Sequence, residues 1–283
     1  MRPTLLLVYL FLCAACTQQT LNAGARDGEM RRIISLDYCA DQYVLALIPQ
    51  EEIAGLSPDA EASFSYLREK AAGLPKIRPR AEDILLHKPD MVVRSYGGGS
   101  NITPLLERAG IKVVQIGYAS NLSGIETIIT DTAAALDNQA GGRALVAQMR
   151  ANIPPRTSTA PAASVLYLTS KGAVAGKVTL IDDIIVSAGL ENFRTENGWT
   201  GSMPLESLVY AKPDIVAAGF FETSDLVSDI WTPTRHPVAQ RLLANTNLVD
   251  IPGSWTSCSA WPVANAVEAL TMAATNFQDT SHD

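Results

Sequence analysis

Glu82-Asp83-Ile84-Leu85-Leu86-His87-Lys88-Pro89-Asp90-Met91-Val92 and Glu206-Ser207-Leu208-Val209-Tyr210-Ala211-Lys212-Pro213-Asp214-Ile215-Val216 are two copies of one pattern in a chain of 283 residues. Glu, Lys, Pro, Asp and the closing Val coincide without a gap, and apolar residues coincide between them. Each copy reads as a helix, a Lys-Pro-Asp turn and a strand, because proline disfavours helix in the residue before it. The copies lie about half a chain apart. That is too long for a solenoid unit and predicts two similar lobes.

Working outward from the first copy, Ile33 to Leu36 and Ile53 to Leu56 read as short buried strands, with a helix over Asp41 to Leu47 between them. Met91 to Val93 and Val113 to Ile116 are further strands, separated by a helix over Thr103 to Ala109 that stops at Gly110, a usual C-cap position. Ile125 to Leu136 and Gln139 to Ile153 are amphipathic helices, the second ended by Pro154-Pro155. Around the second copy the order recurs. Val165 to Leu168, Ile215 to Ala217 and Leu248 to Ile251 are strands, and Leu180 to Ser187, Pro237 to Leu243 and Val263 to Thr275 are helices. Short, almost wholly apolar strands alternating with helices predict α/β lobes with mainly parallel central sheets. The expected boundaries are 32–137 for the first lobe, 138–156 for one long connecting helix and 163–278 for the second lobe.

Residues 1–25 read as a leader. Arg2 precedes an apolar run from Leu5 to Ala15, followed by polar Thr17 to Thr20. The run is shorter than the roughly 20 residues a membrane span needs, so it predicts an exported protein with a signal peptide. Ala14-Ala15-Cys16 resembles the end of a lipoprotein signal, which makes Cys16 a lipidation candidate. Ala23-Gly24-Ala25 offers an ordinary cleavage site instead. The net charge of −7 and the absence of a basic block argue against a nucleic-acid partner. Beyond the leader only Cys39 and Cys258 remain. A disulfide, two buried thiols or soft-metal ligation all stay open for them, and a disulfide tying two lobes across a cleft would oppose release. His87, His236 and His282 share no metal-ligand spacing, so no metal site is expected.

Residues just past the strand ends are the expected cleft lining, since parallel α/β sheets leave a crevice there. In the first lobe these are Asp37, Tyr38, Arg94, Ser95, Tyr96 and Tyr118, with Arg94 ahead of Gly97-Gly98-Gly99 and suited to a ligand carboxylate or phosphate. In the second they are Thr169, Ser170, Lys171, Phe220, Phe221 and Trp255, with the loop residue Trp199 added. Aromatic side chains with a few polar groups suit a bulky ligand.

Arg32-Ile33-Ile34-Ser35-Leu36, Asp41-Gln42, the two Glu…Lys-Pro-Asp blocks, Leu180-Ile181-Asp182-Asp183-Ile184, Ala188-Gly189-Leu190-Glu191-Asn192 and the late Trp255 together resemble class III periplasmic substrate-binding proteins of iron-siderophore and vitamin B12 ABC importers. The resemblance spans roughly residues 32 to 277. It implies two α/β lobes joined by one rigid helix, and a monomeric periplasmic protein with no cofactor and no catalysis. It also implies capture of a small-molecule metal chelate, a ferric siderophore or a cobalamin, for an inner-membrane permease and its ATPase. In such proteins one exposed Glu per lobe docks into permease arginines, and by motif position these are Glu82 and Glu206. Two other functions compete. A metal- or cluster-binding enzyme component on a two-lobed α/β scaffold would need more cysteines than two. A sensor lipoprotein of the same fold would lack a permease partner.

Overall fold

The computed structural model describes residues 30–97, 99, 101–155, 163–201, 211–219 and 236–281. Strand β1 (Ile33–Ser35) lies between β2 (Ile53–Gly55) and β3 (Met91–Arg94), and β4 (Lys112–Gln115) pairs beyond β3. All three pairings are parallel, with Ile33 opposite Ile53 on one side and Met91 on the other. Ile33, Ile34, Val92 and Val93 are fully buried. Their strands carry no polar alternation because helices cover both faces of the sheet.

The second lobe repeats the arrangement. Strand β5 (Ser164–Thr169) pairs in parallel with β9 (Ile215–Gly219), and β10 (Asn247–Ile251) lies beyond β9. On the other side β5 pairs in parallel with β7 (Glu191–Asn192) and antiparallel with β6 (Val174–Ala175), which leads to β8 (Trp199–Thr200). The two Lys-Pro-Asp turns do the same work in both lobes. Asp90 accepts a hydrogen bond from the Arg32 backbone N–H at 2.9 Å, just before β1. Asp214 accepts one from the Ser164 N–H at 2.8 Å, where β5 begins. Each aspartate clamps its own strand to the neighbouring one and fixes the register between them, so the repeat is a structural device present in both lobes.

Helices α1 (Tyr38–Leu47), α2 (Ala81–Leu86), α3 (Thr103–Arg108) and α4 (Leu122–Ala135) belong to the first lobe. Helix α5 (Gln139–Ala151) follows, and at 1.5 Å per residue its 13 residues run about 20 Å toward the second lobe. It packs back on α4 closely enough that a Cβ on Gly142 would lie 2.4 Å from that of Ala133. Helices α6 (Leu180–Ser187), α7 (Pro237–Asn245), α8 (Gly253–Thr256) and α9 (Val263–Ser281) complete the second lobe. None of the described helices is long and apolar enough to cross a membrane. One continuous apolar core runs from Ile33 and Tyr43 through Ile129 and Met149 to Tyr167, Ile185 and Val267, so the lobes share an interior.

The elements differ from the sequence expectation in local ways. Helix α1 starts one turn earlier than Asp41, because the Asp37 carboxylate accepts the Ala40 N–H at 3.0 Å and caps it. Helix α4 starts at Leu122, because Asn121 caps it through the Gly124 N–H. The two-residue strands β6, β7 and β8 carry no periodicity that a sequence could announce.

Asp41 inside α1 is fully buried and accepts the Ser57 N–H at 3.0 Å and the Ser57 hydroxyl at 2.6 Å, which holds the chain leaving β2. Burial pushes its carboxyl up from 3.8 to about 6, against the lowering effect of the bonds from Ser35 and Ser57. The folded chain therefore keeps this proton at pH values where the unfolded chain has lost it. Stability from this group is greatest below about pH 4 and falls as pH rises to about 6, by on the order of 3 kcal/mol. Asp41→Asn removes that dependence. Urea unfolding of both proteins across this range should show the variant gaining on the wild type up to about pH 6 and then holding level. A pH-independent difference would contradict the burial of a titrating carboxyl here.

Candidate functional site

The Asp37 carboxylate joins two strand ends. Besides capping α1, it accepts the Ser95 N–H at 2.7 Å and the Ser95 hydroxyl at 2.6 Å, so the residue after β1 grips the residue after β3. Gly97 allows this approach, since a Cβ there would sit 2.9 Å from that of Asp37. The next residue along each strand end is a tyrosine. Tyr38 and Tyr96 stand side by side, with phenol oxygens 2.5 Å apart. Phe64 meets the Tyr38 ring edge-on, with centroids 4.9 Å apart. Tyr96 is 68% exposed at this rim. Burial of its phenol oxygen, the hydrogen bond with Tyr38 and the charges of Tyr38 and Asp37 raise that phenol well above its ordinary value.

Beside this rim lies a groove of about 680 Å³. One wall is the segment after β2, with Tyr66, Leu67, Arg68 and Lys70, and the other is the start of α8 after β10, with Trp255. Residues of both lobes therefore line it, Trp255 from just past the carboxyl end of β10 and Ser63 to Lys70 from the long segment that follows β2. Arg68 and Lys70 give it two cations and Glu69 one carboxylate.

A seam closes the lobes together next to the groove. Cys39 in α1 and Cys258 after α8 form a disulfide with Cα atoms 5.4 Å apart, which decides among the three chemistries left open for them. Alongside it, the Tyr43 hydroxyl donates to the Ser259 carbonyl at 2.6 Å, and its ring meets Trp261 edge-on at 5.6 Å. The Ala119 N–H donates to the Ser259 hydroxyl oxygen at 3.1 Å, and the Leu122 N–H to Asp183 at 2.7 Å. The disulfide thus lies beside a packed, hydrogen-bonded contact between the lobes.

Of the residues expected at the cleft, Asp37, Tyr38 and Tyr96 come together, and Trp255 faces the groove. Arg94 requires a correction. It is buried, and its guanidinium donates to the Gly97 and Gly99 carbonyls and to the Thr103 hydroxyl at 2.9–3.1 Å. It holds the loop after β3 and is not offered to a ligand. Its Nε has no partner among the described residues. Tyr118 is 70% exposed after β4, and Lys171 is exposed in the turn after β5. Trp199 on β8 is half-exposed and packs edge-on against Tyr167, 5.9 Å away. The Tyr167 phenol in turn fills the space where a Cβ on Gly219 would be. Glu82 is exposed in the first turn of α2. Cys16, Glu206, Phe220, Phe221 and His282 lie outside the described residues. Phe64 and Tyr66 were not anticipated, because residues 58–80 have neither helical nor strand periodicity. Among the described residues no three His, Cys, Asp or Glu side chains gather to hold a metal ion.

A family model described as "periplasmic binding protein" matches residues 33–216. A cobalamin-binding protein of Halobacterium salinarum strain R1 is 25% identical over 202 residues, which is 68% of this chain and 55% of that protein. The chain therefore matches only about half the length of this curated relative. Among solved structures, the apo form of the periplasmic heme-binding protein RhuT from Roseiflexus sp. RS-1 aligns with a TM-score of 0.70 at 23% identity, covering 88% of this chain and 99% of that one. The periplasmic heme-binding protein HutB of Vibrio cholerae aligns with a TM-score of 0.68 at 21% identity, covering 86% and 98%. At these identities the structural likeness shows the fold, two α/β lobes of the class III type.

The cross-link closes a loop with a sequence separation of 219 residues. Loop-closure entropy for that length gives an upper limit of about 5 kcal/mol. The Cys39→Ser, Cys258→Ala protein should therefore unfold at lower urea concentration, with a loss of about 2–5 kcal/mol. Retention of Tyr43 packing should keep it folded at room temperature. A loss below about 0.5 kcal/mol would contradict the loop-closure account of what this bond contributes.

Proposed function

The chain belongs to the periplasmic binding protein family, and on that footing we propose that it is the substrate-binding component of an ABC importer for a bulky metal chelate. The observation that carries this is the groove, which lies between the two lobes and is lined by Tyr66 and Trp255 with Arg68 and Lys70. Large aromatic faces take up a bulky ligand, and the cations suit an anionic one. A ferric siderophore, a cobalamin or a haem has the required size and faces, and the last two are what the similar proteins are named for. No covalent chemistry is asked of these residues. The protein holds its ligand outside the inner membrane and hands it over, in the periplasm, anchored through Cys16 if the leader is processed as a lipoprotein signal.

Delivery needs a grip on the permease that does not use the ligand groove. Glu82 in the first turn of α2 and Glu206 at the same place in the second copy supply one carboxylate per lobe. Carboxylate pairs with guanidinium in a directional, bidentate way, so two such contacts fix orientation as well as affinity. The Glu82→Ala, Glu206→Ala protein should lose about tenfold or more of ligand uptake in cells carrying the transporter. Its affinity for the same ligand, read by tryptophan fluorescence, should stay within about twofold. Undiminished uptake would remove the docking assignment, and loss of ligand binding in this variant would place these glutamates in the site instead.

A further inference from the structure

We infer that Tyr38 and Tyr96 form a paired-phenol site that coordinates ferric iron in a chelate with two adjacent coordination positions open. This rests on the import function proposed above and narrows its ligand to an iron complex that does not fill its own metal. Three observations carry it. The phenol oxygens lie 2.5 Å apart at an accessible rim. Cis donors each about 2 Å from a small cation sit roughly 2.8 Å apart, so the pair needs to open by only a few tenths of an ångström to hold one ion between them. The backbones beneath the pair are fixed, since Asp37 caps α1 and bonds Ser95 through both N–H and hydroxyl. The Tyr38 ring is further held by Phe64.

The donor chemistry selects the metal. Phenolate is a hard, anionic oxygen donor, which favours a hard trivalent ion over the softer ions that seek thiolate or imidazole. The nearest sulfur, that of Cys39, is 3.8 Å from the Tyr96 oxygen and is tied up in the disulfide. The geometry selects the chelate. A corrin or porphyrin ring occupies all four equatorial positions and leaves only sites on opposite faces, which two adjacent phenols cannot both reach. A partly coordinating siderophore leaves neighbouring positions free.

Coordination is proton exchange without redox. Two phenol O–H bonds and two iron–water bonds break, two iron–phenolate bonds form, both protons and both waters pass to solvent, and iron stays ferric throughout. Binding therefore strengthens with pH, by up to about a hundredfold per unit where both protons are released.

The test uses the full mature protein with its disulfide intact and ferric nitrilotriacetate, which leaves two adjacent positions open. The wild type should develop a broad visible phenolate-to-iron charge-transfer band and bind more tightly as pH rises. Tyr38→Phe and Tyr96→Phe, each checked as folded by circular dichroism, should each weaken binding by about tenfold or more, and the double variant should lose the band. Absence of the band in the wild type, or its persistence in the double variant, overturns the site. Haemin and cyanocobalamin titrations followed by tryptophan fluorescence run in parallel. If either binds the wild type while no band forms, the phenol pair falls and the importer assignment stands. If the band forms as expected but the Glu82→Ala, Glu206→Ala protein keeps full uptake, the iron site stands and the docking scheme falls.

Discussion

Helix α1 ties the molecule together through side chains on two of its faces. Asp37 and Asp41 are one helical turn apart and share a face. They hold the ends of β3 and β2, through Ser95 and Ser57. Cys39 and Tyr43 are also one turn apart, and they hold the second lobe through Cys258, Ser259 and Trp261. The strand ends of the first lobe and the rim of the second are thus referred to one short rod. The groove has its width because both of its walls are fixed to that rod.

This arrangement limits how the lobes move. They share a continuous core, a covalent bond and several buried hydrogen bonds, and α5 resists bending along its length. A wide hinge opening would have to break that seam. Small shear or side-chain adjustment at the rim remains available. A cleft of nearly preset width spends little free energy on ordering when a ligand enters. The same stiffness leaves release to the permease, which must strain the rim or compete for the ligand.

Much of this was legible in the sequence. The Lys-Pro-Asp repeat predicted two similar lobes and the apolar strands their parallel sheets, and the structure shows why the repeat recurs, since Asp90 and Asp214 each pin the strand that pairs with their own. The site was legible only in part. Asp37, Tyr38 and Tyr96 follow strand ends and were reached by that rule alone. Arg94 obeys the same rule yet turns inward, because the loop after β3 offers it three oxygen acceptors. Phe64 and Tyr66 lie in an aperiodic stretch, and no local pattern marks them. Nothing in a sequence separation of 219 residues says that two cysteines meet. That contact depends on how the lobes pack, which short-range patterns do not encode.

Thermal unfolding of the purified mature protein with and without candidate ligands tests the central claim most directly. A ligand bound only by the folded state raises the unfolding midpoint by mass action. Among ferric siderophores, ferric nitrilotriacetate, haemin, cobalamin and simple divalent metal salts, at least one of the chelates should raise the midpoint, and Trp255→Ala should abolish or sharply reduce that rise. A rise caused by divalent salts alone, or one that survives intact in Trp255→Ala, would mean that the groove between the lobes is not where this protein holds its cargo.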